Sequence, residues 1–245
     1  RFALKRGDLI VIDADHIRKP LLALGANAES IQLICFGTDV QKFSPEARNE
    51  TIRERLKLSD APTVVSTKGM KTIYDVESLI RAVPMVLKQV PDAQFVIANR
   101  GPQESYLKEL AKSLDICDHA RFVGVIPNSE LPHYIASMDM YVSTSLSDAG
   151  LAASTAEAMA CGLPVIITDF GDNRKWVEDG VNGFIVPLKD PKALAEKIIY
   201  LLENKDIRKE FGMRNREIIE ERNNYYREME KMENIYIELV ERYKS

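Results

Sequence analysis

From Pro62 onward the chain repeats one pattern: a short apolar run, a few turn-forming residues, then a longer amphipathic stretch. The apolar runs are Thr63-Val64-Val65-Ser66, Gln94-Phe95-Val96-Ile97-Ala98, Arg121-Phe122-Val123, Met140-Tyr141-Val142-Ser143, Val165-Ile166-Ile167 and Phe184-Ile185-Val186. They lack the apolar/polar alternation of a strand with one wet face, so they predict strands covered on both sides. Between them, residues 76–90, 104–114 and 130–137 are expected to be helical, and a further helix is expected to open at Gly150. Few topologies accommodate such alternation. The expected class is α/β, with a doubly wound parallel sheet.

This is a Rossmann-like arrangement with helices on both faces. In such sheets ligands bind outside the carboxyl ends of the strands, so the loops after Ser66, Ala98, Val123, Ser143 and Thr168 are the candidate site walls. Upstream, Leu9 to Ile12 and Ile31 to Phe36 read as strands. Asp15 caps an intervening helix that Gly25 ends, and a polar helix over 46–58 leads to the breakers Asp60-Ala61-Pro62, where the main domain is expected to start. The tail from Asp190 is helical, and Tyr225, Met229, Met232, Tyr236, Leu239 and Tyr243 form an apolar stripe along its last helix. That stripe packs either on its own domain or on a neighbour.

Composition narrows the function classes. In 245 residues, 45% hydrophobic and 29% charged, no apolar run approaches the roughly 18 to 20 residues that cross a bilayer. A net charge of −4 argues against a general nucleic-acid binder. The three cysteines, Cys35, Cys117 and Cys161, are widely spaced, which suggests a reducing compartment. The three histidines, His16, His119 and His133, show no metal-ligand spacing, and no metal site is expected. Residues 1–6 are basic but precede no signal-peptide apolar core, and read as an internal cut.

Four groups of residues can carry chemistry. Lys68, Gly69 and Lys71 bring two ammonium groups to the sheet's carboxyl edge, suited to a phosphate or, more plainly, to a solvated loop. Asn99-Arg100-Gly101-Pro102 brings a guanidinium to the same rim, or simply starts a helix. Asp148, Ala149, Gly150, Leu151, Ala152 and Ala153 make a small-residue helix start, where a ligand can approach backbone N–H groups or where helix and sheet pack closely. Glu157, between Ala156 and Ala158, needs a partner for its carboxylate, either a sugar or ribose hydroxyl or a structural cation.

Further features run along the chain: Gly37-Thr38-Asp39 with Phe43 and Pro45, Asn99 to Pro102, Phe122-Val123-Gly124, Glu157-Ala158-Met159-Ala160 with Gly162 and Pro164-Val165, and Asp179-Gly180 with Asn182-Gly183. Together they resemble the retaining glycosyltransferases of group 1 (family 4). That family has two Rossmann-like domains in the GT-B arrangement and binds a nucleotide-sugar in the C-terminal one. The resemblance implies that residues 1–61 are the end of an N-terminal domain and a linker, 62–221 the donor-binding domain, and 222–245 a helix crossing to an N-terminal domain.

It also implies residue roles. Lys68 looks like the basic residue that neutralises the donor diphosphate, and Glu157 like the second glutamate of the E-x7-E motif, bonding the ribose; these are the expected catalytic residues. Gly69, Lys71, Asn99, Arg100, Phe122, Val123, Ile126 and the segment Asp148 to Ala153 are expected to bind donor. Three positions depart from the pattern: Ala149 replaces the first glutamate, Tyr74 a second lysine, and Lys175 a glutamate in the loop after Thr168.

The implied activity is sugar transfer with retention from a nucleotide-sugar to a saccharide, lipid or small-molecule acceptor, without a cofactor or nucleic acid. The implied setting is cytoplasmic, with peripheral contact at the inner membrane face as an option. A sugar-nucleotide epimerase and a non-catalytic nucleotide-binding scaffold are the alternatives.

Overall fold

The computed structural model describes residues 2–58, 60–148 and 150–244. Helix α1 (Phe2–Arg6) precedes strand β1 (Ile10–Ile12), and α2 (Arg18–Ala23) leads to β2 (Ile31–Leu33), which pairs in parallel with β1. The core of this unit is small, formed by Ile12, Ala26 and Ile31, while Val11, Leu33 and Phe36 stay exposed. Both strands are shorter than the apolar runs that encode them, because only three residue pairs are in register.

The expected helix over 46–58 is instead a 3-10 turn (Pro45–Ala47) followed by α3 (Glu50–Arg55). Asn49 separates them. Its side chain accepts from the Thr51 N–H at 3.0 Å and so starts a new helix rather than continuing an old one.

Six strands then build the main sheet: β3 (Thr63–Ser66), β4 (Gln94–Ala98), β5 (Ala120–Gly124), β6 (Met140–Ser143), β7 (Val165–Thr168) and β8 (Gly183–Val186). Their spatial order is β5-β4-β3-β6-β7-β8, and neighbours are parallel throughout. The connecting helices are α4 (Val76–Leu87), α5 (Glu104–Ser113), α6 (Leu131–Ala136) and α7 (Ala153–Ala160), followed by α8 (Pro191–Glu203), α9 (Lys205–Arg222) and α10 (Tyr225–Lys244).

The period-two alternation of strand side chains divides the core into two layers. Val64, Phe95, Ile97, Met140 and Val142 join the layer of α4, α5 and α8, whereas Val65, Val96 and Tyr141 join that of α3, α6 and α7. The inner strands β3, β4, β6 and β7 are therefore buried on both faces, which is why their sequences are apolar without alternation. Val40, Phe43, Ile52 and Leu58 also pack into the second layer.

The topology fixes where a crevice opens. The chain builds outward from β3 through β4 to β5, then returns to the middle and builds the other way from β6. Loops leaving β3 and β6 diverge at their carboxyl ends, the switch point of a doubly wound sheet.

Helix α10 starts where two chain segments lie side by side. The Thr38 N–H donates to Asn223 O at 2.7 Å, and the Tyr225 N–H donates to Thr38 O at 3.0 Å. Gly37 (φ +78°) permits this approach: a Cβ there would lie 2.4 Å from Tyr225 Cα. The Glu228 carboxylate accepts the Cys35 N–H at 2.8 Å, while Tyr236, Ile237 and Val240 further along are exposed. Among the described residues no helix is long and apolar enough to cross a membrane.

Candidate active site

Strand β3 ends at Ser66, and the next two residues, Thr67 and Lys68, remain buried at the switch point. The Lys68 ammonium donates to both carboxylate oxygens of Asp148, at 3.2 and 3.0 Å, across the crevice from the loop after β6. The side chains are 6% and 17% exposed. Burial holds the Lys68 amine below its ordinary range, against the pull of the Asp148 charge in the other direction. Thr67 Oγ1 is buried beside the Tyr141 hydroxyl, which donates to Ser154 Oγ at 2.8 Å.

A second loop is fastened to this one. Met70 N–H donates to Arg100 O and Met70 O accepts from Gln103 N–H, each at 3.0 Å. Gly101 makes that approach possible, since a Cβ there would lie 2.3 Å from Met70 O. Asn99, at φ +81°, and Gly124, at φ +71°, turn the chain at the neighbouring strand ends, and the Arg100 guanidinium lies over Gly124.

The third wall is the start of α7. The helix begins at Ala153, three residues later than expected, with Ala152 in the cap position and no side-chain cap. Gly150 is held against the N-terminal unit, where a Cβ would meet Asp13 O at 3.0 Å and Ala14 Cβ at 3.3 Å, so the segment 150–152 runs non-helically. The N–H groups of Ala153 and Ser154 have no helical carbonyl to bond. One turn on, Glu157 is partly buried, and among the described residues its carboxylate has no hydrogen bond or ion pair. Desolvation pushes its pKa up to about 7, with the charges of Lys42 and Lys68 opposing.

These walls enclose a cavity of about 570 Å³. Of the expected site residues it gathers Lys68, Gly69, Lys71, Asn99, Arg100, Ile126, Asp148, Ala152, Ala153 and Glu157. Phe122 and Val123 do not line it: they sit in β5 and pack against the two core layers. Gly150 and Leu151 lie outside it too, Leu151 packing on the second layer. Ala149 falls outside the described residues. Thr67, Tyr74, Ala98, Val125, Asn128, Leu131 and Ser154 complete the lining. Of these, Thr67 and Ala98 carry a signal as residues at strand ends and Tyr74 as the position of a second lysine in the family's register; Val125, Asn128 and Leu131 reach the cavity through the path of the chain after β5.

Lys175 is not part of this lining. Its ammonium bonds Asp15 at 2.7 Å and approaches Asp172 at 3.6 Å, while Asp172 also accepts the Asp15 N–H at 2.7 Å. The charge of the loop after β7 is thus directed to the N-terminal unit.

A doubly wound sheet with a cation, free helix N–H groups and an unpaired carboxylate at its switch point suits a phosphorylated, hydroxyl-rich ligand. Residues 48–218 match the family described as Glycosyl transferases group 1. The chain belongs to that family. It is 26% identical over 217 residues to the GDP-mannose-dependent alpha-(1-6)-phosphatidylinositol monomannoside mannosyltransferase of Mycobacterium tuberculosis, covering 86% of this chain and 56% of that protein.

Among solved structures, Anabaena HepE in complex with UDP and glucose superposes with a TM-score of 0.85 at 21% identity, over 96% of this chain and 64% of that one. The C-terminal domain of a group 1 family protein from Francisella tularensis matches with a TM-score of 0.69 at 23% identity, over 77% of this chain and 99% of that domain. These likenesses establish the Rossmann-like fold of GT-B glycosyltransferases. The chain spans little more than half of the mycobacterial relative's length.

Proposed function

We propose that this chain binds the nucleotide-sugar donor of a retaining glycosyltransferase, and that sugar is transferred to a saccharide, lipid or small-molecule acceptor held by a further, N-terminal domain. The observation that carries this reading is the convergence of Lys68, the first turn of α7 and the unpaired Glu157 on one cavity at the switch point.

Each wall answers one part of such a donor. Lys68 and the N–H groups of Ala153 and Ser154 meet the diphosphate, and negative charge that develops on it as the sugar departs is stabilised by donors already in place. Glu157 accepts the ribose hydroxyls. The Asn99 to Arg100 and Val125 to Asn128 rim flanks the base. The N–H groups come from residues 153 and 154, so the family's phosphate-binding helix start lies at the far end of the expected Gly150 to Ala153 segment.

Residues 1–61 and α10 then serve as the linker and the return crossing to the acceptor domain, with the exposed Tyr236, Ile237 and Val240 directed to it. The proposed setting is cytoplasmic, with contact to a membrane face where the acceptor is a lipid.

Isothermal titration of UDP-, GDP- and ADP-sugars into the chain tests the reading. At least one is expected to bind; no heat from any of them, with the chain shown folded by circular dichroism, would remove it.

A further inference from the structure

We propose that Asp148 is a counter-ion gate: its carboxylate holds Lys68 until a donor diphosphate displaces it. This rests on the donor-site reading above and concerns how that site opens.

Lys68 is 6% exposed, and an ammonium so deep in the protein must have a counter-ion and filled hydrogen-bond donors. Asp148 supplies the counter-ion, with both of its oxygens accepting from the ammonium at 3.2 and 3.0 Å. On another side, the ammonium lies 5.3 Å from the centre of the Tyr74 ring. A diphosphate that enters the cavity and reaches Lys68 therefore meets a carboxylate already there.

Both anions cannot share the cation without cost. Two like charges held a few ångströms apart repel strongly where protein rather than bulk water surrounds them. One must leave, and the structure distinguishes the two partners. Lys68 is fixed at the end of a central strand whose preceding residues, Val64 to Thr67, are all buried. Asp148 stands in the non-helical loop between β6 and α7, is more exposed, and among the described residues its carboxylate bonds only Lys68. It is Asp148 that moves, and the affinity for nucleoside diphosphate is the difference between the new ion pair and the old one.

Nucleoside diphosphates without sugar isolate this exchange from any contact between Asp148 and the sugar. UDP, GDP and ADP are titrated calorimetrically into the wild-type chain, Asp148→Asn, Asp148→Ala as a second variant lacking the carboxylate, Lys68→Met, and the double variant Lys68→Met/Asp148→Asn. Thermal unfolding reports whether each variant is folded.

The expected result is at least fivefold tighter binding by a folded carboxylate-free variant, and a smaller gain when Asp148→Asn is made in the Lys68→Met background. Equal or weaker binding by Asp148→Asn and Asp148→Ala, with the wild type binding, overturns the gate and leaves the donor site standing. Binding by none of the folded proteins overturns both.

Discussion

Met70 and Gly101 are in contact through backbone alone: a side-chain carbon on Gly101 would lie 2.3 Å from Met70 O. The contact ties the loop that carries Lys68 to the loop that carries Arg100. Gly101→Ala must push them apart, breaking the hydrogen bonds that Met70 makes to Arg100 and Gln103. A loss of about 2 to 3 kcal/mol is expected in urea denaturation, together with at least tenfold weaker nucleotide binding. Unchanged stability would show that the two loops are not held this way.

Glu157 should make stability fall as pH rises. Its carboxyl pKa is raised to about 7, so between its ordinary value and pH 7 the native state holds a proton that the unfolded chain has lost. The cost is therefore absent at pH 4 and complete at pH 8, where it reaches at most about 3 kcal/mol. Glu157→Gln should raise the melting temperature at pH 8 and leave it nearly unchanged at pH 4. If ribose hydroxyls donate to this carboxylate, nucleotide binding near pH 6.5 should release protons, seen as heats that depend on the buffer's ionisation enthalpy.

Arg53 joins α3 to the main sheet. Its buried guanidinium donates to Ser137 O at 3.0 Å and to Ala61 O at 2.7 Å, and lies 3.7 Å from the Asp139 carboxylate. Arg53→Met strands these acceptors and should cost about 3 kcal/mol in urea denaturation. A loss below about 1 kcal/mol would mean that residues 50–55 are not integral to the fold.

Lys175 should matter little to either property. Its pair with Asp15 is 48% and 40% exposed on the two sides, and exposed pairs contribute about 0 to 1 kcal/mol. Lys175→Ala should lower stability by less than about 1 kcal/mol and leave UDP, GDP and ADP affinity within twofold. A large loss of affinity would return this loop to the donor site.

The strands of the main sheet were legible because burial on both faces writes an uninterrupted apolar run such as Met140 to Ser143, and parallel pairing requires the helices between. Strand ends placed Lys68 at the carboxyl edge of the sheet, and the family resemblance joined Glu157 to it in one site. What the sequence concealed depends on contacts between distant segments. Gly150 reads as a helix start, yet Asp13 and Ala14 pack against it and hold the chain non-helical until Ala152. Lys68 reads as a free cation because its partner lies eighty residues away in the chain. Phe122 reads as a rim residue because its strand ends near the site, but its side chain turns into the core layer of α5.

One site for a nucleoside diphosphate, built from Lys68, the first turn of α7 and Glu157, is open to a direct test. The most direct measurement is a titration of the ¹⁵N-labelled chain with UDP, GDP or ADP, following backbone amide shifts. The largest changes are expected at Thr67 to Gly69, Ala153, Ser154 and Glu157, and they are expected to vanish in Lys68→Met. Shifts confined to α10 or to the loop after β7, with those amides unmoved, would contradict it.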